Sequence, residues 1–165
     1  MNILAIDTAT EACSASLVVN GLHYSQQEIC PREHSQKLLP MIQSLLEQTG
    51  IELSQLDAIA YGHGPGSFTG VRIAAGMMQG LALGADLPVI GVSTLEAMAQ
   101  GAYRTQKAEK VVAAIDARMG EVYFAIYYFD EDGWQLQGEQ QVLSPEEANS
   151  LIDANHSYIG VGSGF

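Results

Sequence analysis

The hydrophobic and polar positions of this chain change period several times, and each change marks an element. Residues 3–6 form a short apolar run closed by Asp7, the pattern of a buried strand. A small turn, Asp7 to Glu11, precedes a second strand over 14–19. Asn20-Gly21 supplies a two-residue hairpin turn, because both residues tolerate positive φ, so residues 22–29 return as a third strand. From residue 33 the period lengthens. Leu38, Leu39, Met41, Ile42, Leu45 and Leu46 predict a helix over 33–49, with Gly50 as its stop and Pro40 expected to kink it or delay its first turn. Residues 58–62 read as a strand entering the loop Gly62-His63-Gly64-Pro65-Gly66-Ser67. A helix over 69–85, a strand over 88–92 and a helix over 95–104 capped by Ser93 complete this stretch.

The succession then begins again. An apolar strand over 111–115 ends at Asp116, a turn over 117–120 follows, and a second strand covers 122–129. Asp132-Gly133 turns the chain into a strand that starts at Trp134. Ser144-Pro145-Glu146-Glu147 combines a cap, a first-turn proline and a capping-box glutamate. A strand over 158–161 runs into Gly162-Ser163-Gly164. Ala5-Ile6-Asp7 thus matches Ala114-Ile115-Asp116 inside a repeated order of elements. Strings this short recur by chance; an agreeing order of elements is harder to obtain that way. The pattern predicts an α/β chain of two duplicated βββαβα lobes, 1–105 and 106–165. The second copy stops as its glycine-rich loop begins, so an incomplete second lobe and a truncated chain are expected.

Composition narrows the function. The chain is 47% hydrophobic and 16% charged, a globular balance. Seven Lys and Arg stand against 19 Asp and Glu, for a net charge of −12. Such a surface repels phosphate backbones, so direct nucleic-acid binding is disfavoured and a basic partner suits the chain better. Cys13 and Cys30 have no metal-type spacing and form no disulfide framework, which fits a reducing cytoplasm. No basic leader and no run of about 18 apolar residues is present, so neither a signal peptide nor a membrane span is expected.

Three longer strings carry a specific resemblance. Residues 3–10 (ILAIDTAT), 64–73 (GPGSFTGVRI) and 115–123 (IDARMGEVY) resemble the TsaB (YeaZ) family of bacterial tRNA threonylcarbamoyladenosine biosynthesis proteins, within the wider TsaD/TsaB group once called glycoproteases. Residues 31–36 (PREHSQ) and 91–94 (GVST) fit as well, and the resemblance runs from end to end. It implies an actin/Hsp70-like (ASKHA) fold and a non-catalytic partner or activator subunit. Together with a TsaD-type transferase and a TsaE-type ATPase, such a subunit supports transfer of threonylcarbamoyl from threonylcarbamoyl-AMP to N6 of the adenosine 3′ of the anticodon (position 37). The tRNAs concerned read codons that begin with A. The resemblance further implies a heterodimer with the TsaD-type subunit through two helices, a homodimer when that partner is absent, and tRNA reached only through the complex. No cofactor belongs to the subunit itself, while ATP or ADP and a metal ion are implied for the partner complex.

The residues bear on which subunit this is. TsaD-type proteins carry a metal-binding His-x-x-x-His on the helix after residue 92, a spacing that puts both imidazoles on one face. Here those positions hold Thr94 and Met98, and His23, His34, His63 and His156 show no ligand spacing. No catalytic or metal-binding residue is therefore assigned, and the chain is not expected to be an enzyme by itself. A nucleotide-dependent ATPase or kinase is the alternative. Asp7 and Asp116 end equivalent strands, and Thr8, Thr10 and Arg118 would line the same turns. The first turn lacks the glycine that lets backbone approach phosphate, and a strand-end carboxylate also has a plain role in accepting turn N–H groups. Protease chemistry would need Ser67 and His63 as nucleophile and base, whereas Ser67 or Thr69 also fits a helix cap.

Helix surface points to association. Gly76, Gly80 and Gly84 recur at spacing four, and each interior glycine costs roughly 1 kcal/mol relative to alanine. Close approach by a partner, or by the chain's own sheet, would offset that cost. The predicted interface comprises Leu38, Leu39, Met41, Ile42, Leu45 and Leu46 from the first helix. From the second it takes Arg72, Ile73, Gly76, Met77, Gly80, Leu81 and Gly84. The resemblance implies that these two helices contact the TsaD-type subunit; a purely self-associating interaction protein is the remaining alternative.

Overall fold

The computed structural model describes all residues, Met1–Phe165, and contacts group them into two compact units, Met1–Val92 and Ser93–Phe165. In the first unit β1 (Ile3–Asp7) is the central strand, with Leu4 and Ile6 buried. It pairs antiparallel with β2 (Ala12–Val19), which pairs antiparallel with β3 (Leu22–Ile29). On its other side β1 pairs parallel with β4 (Ala58–Gly62), and β4 with β5 (Val89–Val92), giving the order β3-β2-β1-β4-β5. Parallel neighbours need crossover connections, and helices supply them here. α1 (His34–Thr49) lies between β3 and β4, and α2 (Phe68–Ala85) between β4 and β5. Leu4, Ile6, Ala15 and Leu17 of the sheet, Leu38, Ile42 and Leu45 of α1 and Met78 of α2 share one core. The βββαβα order predicted from the sequence is the one observed.

The second unit repeats the succession. α3 (Thr94–Gln106) leads into β6 (Lys110–Arg118), β7 (Glu121–Asp130) and β8 (Gly133–Leu143). α4 (Pro145–Ser150) and the short β9 (Ile159–Val161) follow, and β9 pairs parallel with β6 in the order β8-β7-β6-β9. Residues Val111 to Ile115 are all buried because β6 is covered on both faces. One face meets Leu95, Ala99 and Ala102 of α3, the other Ala148 of α4. Both coverings explain why the sequence there is continuously apolar rather than alternating.

Some boundaries differ from the sequence reading, each for a local reason. α1 runs unbroken through Pro40, which lies exposed, so the carbonyl left without its usual donor stays on the water-facing side. A 3-10 turn, Leu53–Gln55, is closed by a capping box between Glu52 and Gln55 that the apolar pattern does not announce. α3, read with the first lobe from its place in the sequence, packs on β6 and so belongs to the second unit by contact.

Candidate functional site

The loop after β4 folds down onto the turn after β1. Thr8 is fully buried, and its Oγ1 donates to the Gly70 carbonyl at 2.6 Å. The Ser67 amide donates to the Ala9 carbonyl at 2.7 Å, and Ser67 Oγ accepts from the Gly70 amide as the cap of α2. The approach is so close that a Cβ at Gly66 would strike the Ala9 carbonyl, one at Gly70 the Thr8 carbonyl, and one at Gly62 the Asp7 carboxylate. The glycines of this loop therefore serve backbone packing. The second unit repeats the device: a Cβ at Gly162 would strike the carbonyl of Ala114 and one at Gly164 would crowd Ala114, two residues before Asp116 on β6.

Both acidic turns are held internally. Asp7 Oδ1 accepts from the Ala9 amide at 2.9 Å, and Asp116 Oδ1 accepts from the Arg118 amide at 2.8 Å. Asp116 Oδ2 also pairs with Arg118 Nη1 at 3.4 Å, and the Asp116 amide donates to Ser163 Oγ. Burial raises the Asp7 pKa above its ordinary value, against the lowering effects of the Ala9 amide and His34. His34 is itself buried, with Nε2 2.8 Å from the Thr10 carbonyl, and Thr10 Oγ1 accepts from the Ala12 amide. Of the nucleotide-lining candidates, Thr8 has its hydroxyl committed to α2. The carboxylates of Asp7 and Asp116 do what strand-end aspartates do in ordinary turns.

Ser67 caps its helix, and the His63 ring packs beside Gly91 of β5; no hydrogen bond joins the two. At the positions where the family resemblance places metal-binding histidines, Thr94 is buried with an unpartnered hydroxyl and Met98 reaches toward Gly162. No three His, Cys, Asp or Glu side chains converge on one point that could hold a metal ion. No helix is long and apolar enough to cross a membrane.

The predicted helix interface divides into core and surface. Leu38, Met41, Ile42 and Leu45 are buried in the chain's own core, so they are corrected from interface to core residues. Their spacing is that of one helical stripe, and the sheet covers it. Leu39, 39% exposed, and half-buried Leu46 remain at the surface of α1. On α2, Ile73, Met77 and Leu81 pack against the core as half-buried residues, whereas Arg72, Gly76, Gly80 and Gly84 are exposed. A Cβ at Gly76, Gly80 or Gly84 would meet nothing within 4 Å, so the glycine row does not serve the chain's own packing. Two residues outside the expected interface flank it: Phe68, 74% exposed, and Leu83, 88% exposed. The Arg72 guanidinium lies 3.3 Å over the Phe68 ring. Phe68, Arg72, Gly76, Gly80 and Leu83 are spaced by three or four residues, and that helical spacing could have identified the whole face.

Comparison with known proteins agrees with this architecture. The family model for TsaD, tRNA N6-adenosine threonylcarbamoyltransferase, matches residues 19–156. The chain is 54% identical over its whole length to the tRNA threonylcarbamoyladenosine biosynthesis protein TsaB of Escherichia coli K12, spanning 72% of that protein. It is 48% identical, over 98% of its length and 72% of the relative's, to the protein of the same name from Haemophilus influenzae. Among solved structures it is similar to YeaZ from Pseudomonas aeruginosa, with a TM-score of 0.91 and 50% identity over 96% of this chain and 74% of that one.

Proposed function

The chain belongs to the TsaB family of tRNA threonylcarbamoyladenosine biosynthesis proteins, with an actin/Hsp70-like α/β fold, and from that premise we propose that it acts as a non-catalytic partner. It takes part in making threonylcarbamoyladenosine in tRNA by docking α2 onto a TsaD-type transferase, which supplies the metal centre and the transfer chemistry. A TsaE-type ATPase completes the assembly, and tRNA is held by the other subunits. One observation carries the reading: three interior glycines stand in open space on a helix face framed by exposed Phe68 and Leu83. A free helix gains nothing from such glycines. A partner helix crossing at this row could bring backbone close to backbone, with Phe68 and Leu83 as apolar anchors and Arg72 as a cationic one.

The ATPase or kinase alternative has less support, since Thr8 is consumed in bracing α2 and both aspartates are occupied by turn amides.

Gly80→Leu tests the docking. Removing an exposed helix-interior glycine should raise the midpoint of thermal unfolding, by relief of roughly 1 kcal/mol of helix cost. The same side chain blocks close approach, so co-elution with the TsaD-type subunit should be lost. Threonylcarbamoylation of tRNA by the reconstituted subunits should fall to the rate seen without this chain. A variant that still co-elutes and still stimulates would remove α2 as the docking face. A rate that never depended on the wild-type chain would remove the partner role.

A further inference from the structure

We propose that a groove at the C-terminal end of α1 is a second docking site, which takes an apolar segment carrying lysine or arginine from a partner protein. The groove holds about 420 Å³. Leu46, Ile51 and Leu53 are its apolar lining residues and Glu47 and Glu52 its acidic ones, with no Lys or Arg among them. Its shape is fixed by backbone bonds. Gly50 closes α1 in the left-handed conformation with its amide on the Leu46 and Glu47 carbonyls, the Ile51 amide bonds the Leu46 carbonyl, and the Glu52–Gln55 capping box holds the far wall. Such a site needs little ordering when a ligand enters.

Charge identifies the occupant. Helix C-termini carry partial negative charge and favour cations, yet the last turn of α1 has no basic residue and instead contains Glu47. Glu52 adds a second carboxylate, while the only lysine on α1, Lys37, is near the opposite end and paired with Glu28. The groove is thus lined by apolar and negative side chains, with no cation of its own among them. A side chain with an apolar stem and a cationic tip, set beside further apolar residues, matches both features. A second copy of this chain is a poor source for this occupant, because seven Lys and Arg against 19 Asp and Glu make such segments scarce. The groove uses no residue of α2 and shares only Leu46 with the interface expected from the sequence, so its other lining residues lie outside the docking proposed above.

The test uses the full chain and two fluorescent amphipathic peptides of identical leucine pattern, one bearing lysines and one glutamates, in anisotropy titrations. A groove variant, Glu47→Lys with Glu52→Gln, is compared with a control of equal charge change on the second unit, Glu131→Lys with Glu139→Gln. The lysine peptide should bind the wild type and the control alike, and the groove variant about tenfold more weakly or worse. The glutamate peptide should not bind. Glu47→Lys alone leaves the Glu52–Gln55 capping box intact. It should also weaken the lysine peptide, yet raise the midpoint of thermal unfolding because it puts a cation at the helix C-terminus, so its loss of binding cannot be ascribed to misfolding. Equal weakening in groove variant and control would reduce the effect to net charge and overturn the proposal. So would undiminished binding to the groove variant, binding of the glutamate peptide, or no binding of the lysine peptide to the wild type.

Discussion

Single residues here show how far a functional-looking group can be explained by local packing. Asp7 ends the central strand with one oxygen on the Ala9 amide and the other against Gly62, where only a glycine leaves room. Burial holds its folded pKa above the ordinary 3.8. A carboxyl shifted upward favours the fold when protonated. Its contribution is therefore complete below the unfolded value and is lost as pH rises through the folded one. Asp7→Asn keeps an acceptor for Ala9 and carries no charge. The variant should melt at a higher temperature than wild type at neutral pH, and the decline in stability just above pH 3.8 should vanish from its profile. Parallel thermal melts from acid to neutral pH would check this, and a variant less stable at neutral pH would mean that the charge itself is needed. The cysteines obey the same logic. Burial first, then neighbouring Cys30, pushes the Cys13 thiol up to about 11, so almost no thiolate exists at neutral pH. Both thiols are buried, and disulfide-exchange reagents should label them only as fast as the first unit opens. Prompt labelling of native protein would contradict that packing.

Among elements, α2 is the one on which structure and proposed function meet. Its first turn is braced from β1 by the Thr8 hydroxyl on the Gly70 carbonyl and capped by Ser67. Thr8→Val keeps the shape and deletes the bond, leaving the Gly70 carbonyl with only its donor within α2. The cost should be about 0.5–1.5 kcal/mol in denaturant unfolding, with weaker association because the docking helix loses its anchor. A stability unchanged within error would show that the brace is dispensable. The same element shows what a sequence can and cannot disclose. Capping residues Ser67, Ser93 and Ser144, the stop at Gly50 and the hairpin at Asn20-Gly21 are local chemistry, and elements begin or end where they say. Burial is different. Leu38, Met41, Ile42 and Leu45 look on paper like surplus apolar surface, but one sheet suffices to cover a stripe at that spacing. The glycines of α2 are legible as a row, yet only the placement of the sheet reveals that the row faces away from it. Phe68 is not legible in the sequence because a residue beside a cap reads as a loop residue, though its ring lies under Arg72 as part of the helix face.

At the scale of the whole molecule, charge decides how such a chain can serve tRNA chemistry. Nineteen carboxylates against seven cations give −12, and like charge opposes approach to a polyanion everywhere except at local clusters of cations. The cations near the proposed docking helix and the second acidic turn are already engaged, Arg72 over Phe68 and Arg118 with Asp116. Under the role proposed above, such a subunit would act by shaping its partner, and the phosphates would be neutralised by other chains. Counterion release gives this a number: each phosphate neutralised by the protein adds roughly −0.7 to −0.9 to the slope of log K against log salt concentration. The chain alone should therefore leave tRNA mobility unchanged in a gel even at low salt. For the reconstituted assembly, filter-binding curves over a salt series should give the same slope whether this subunit is present or omitted, although the affinity itself changes if docking reorganises the partner. A slope steeper by one phosphate or more when the subunit is present would place its own cations on the tRNA. The carboxylate-rich surface would then be a guide for the nucleic acid rather than a surface that excludes it.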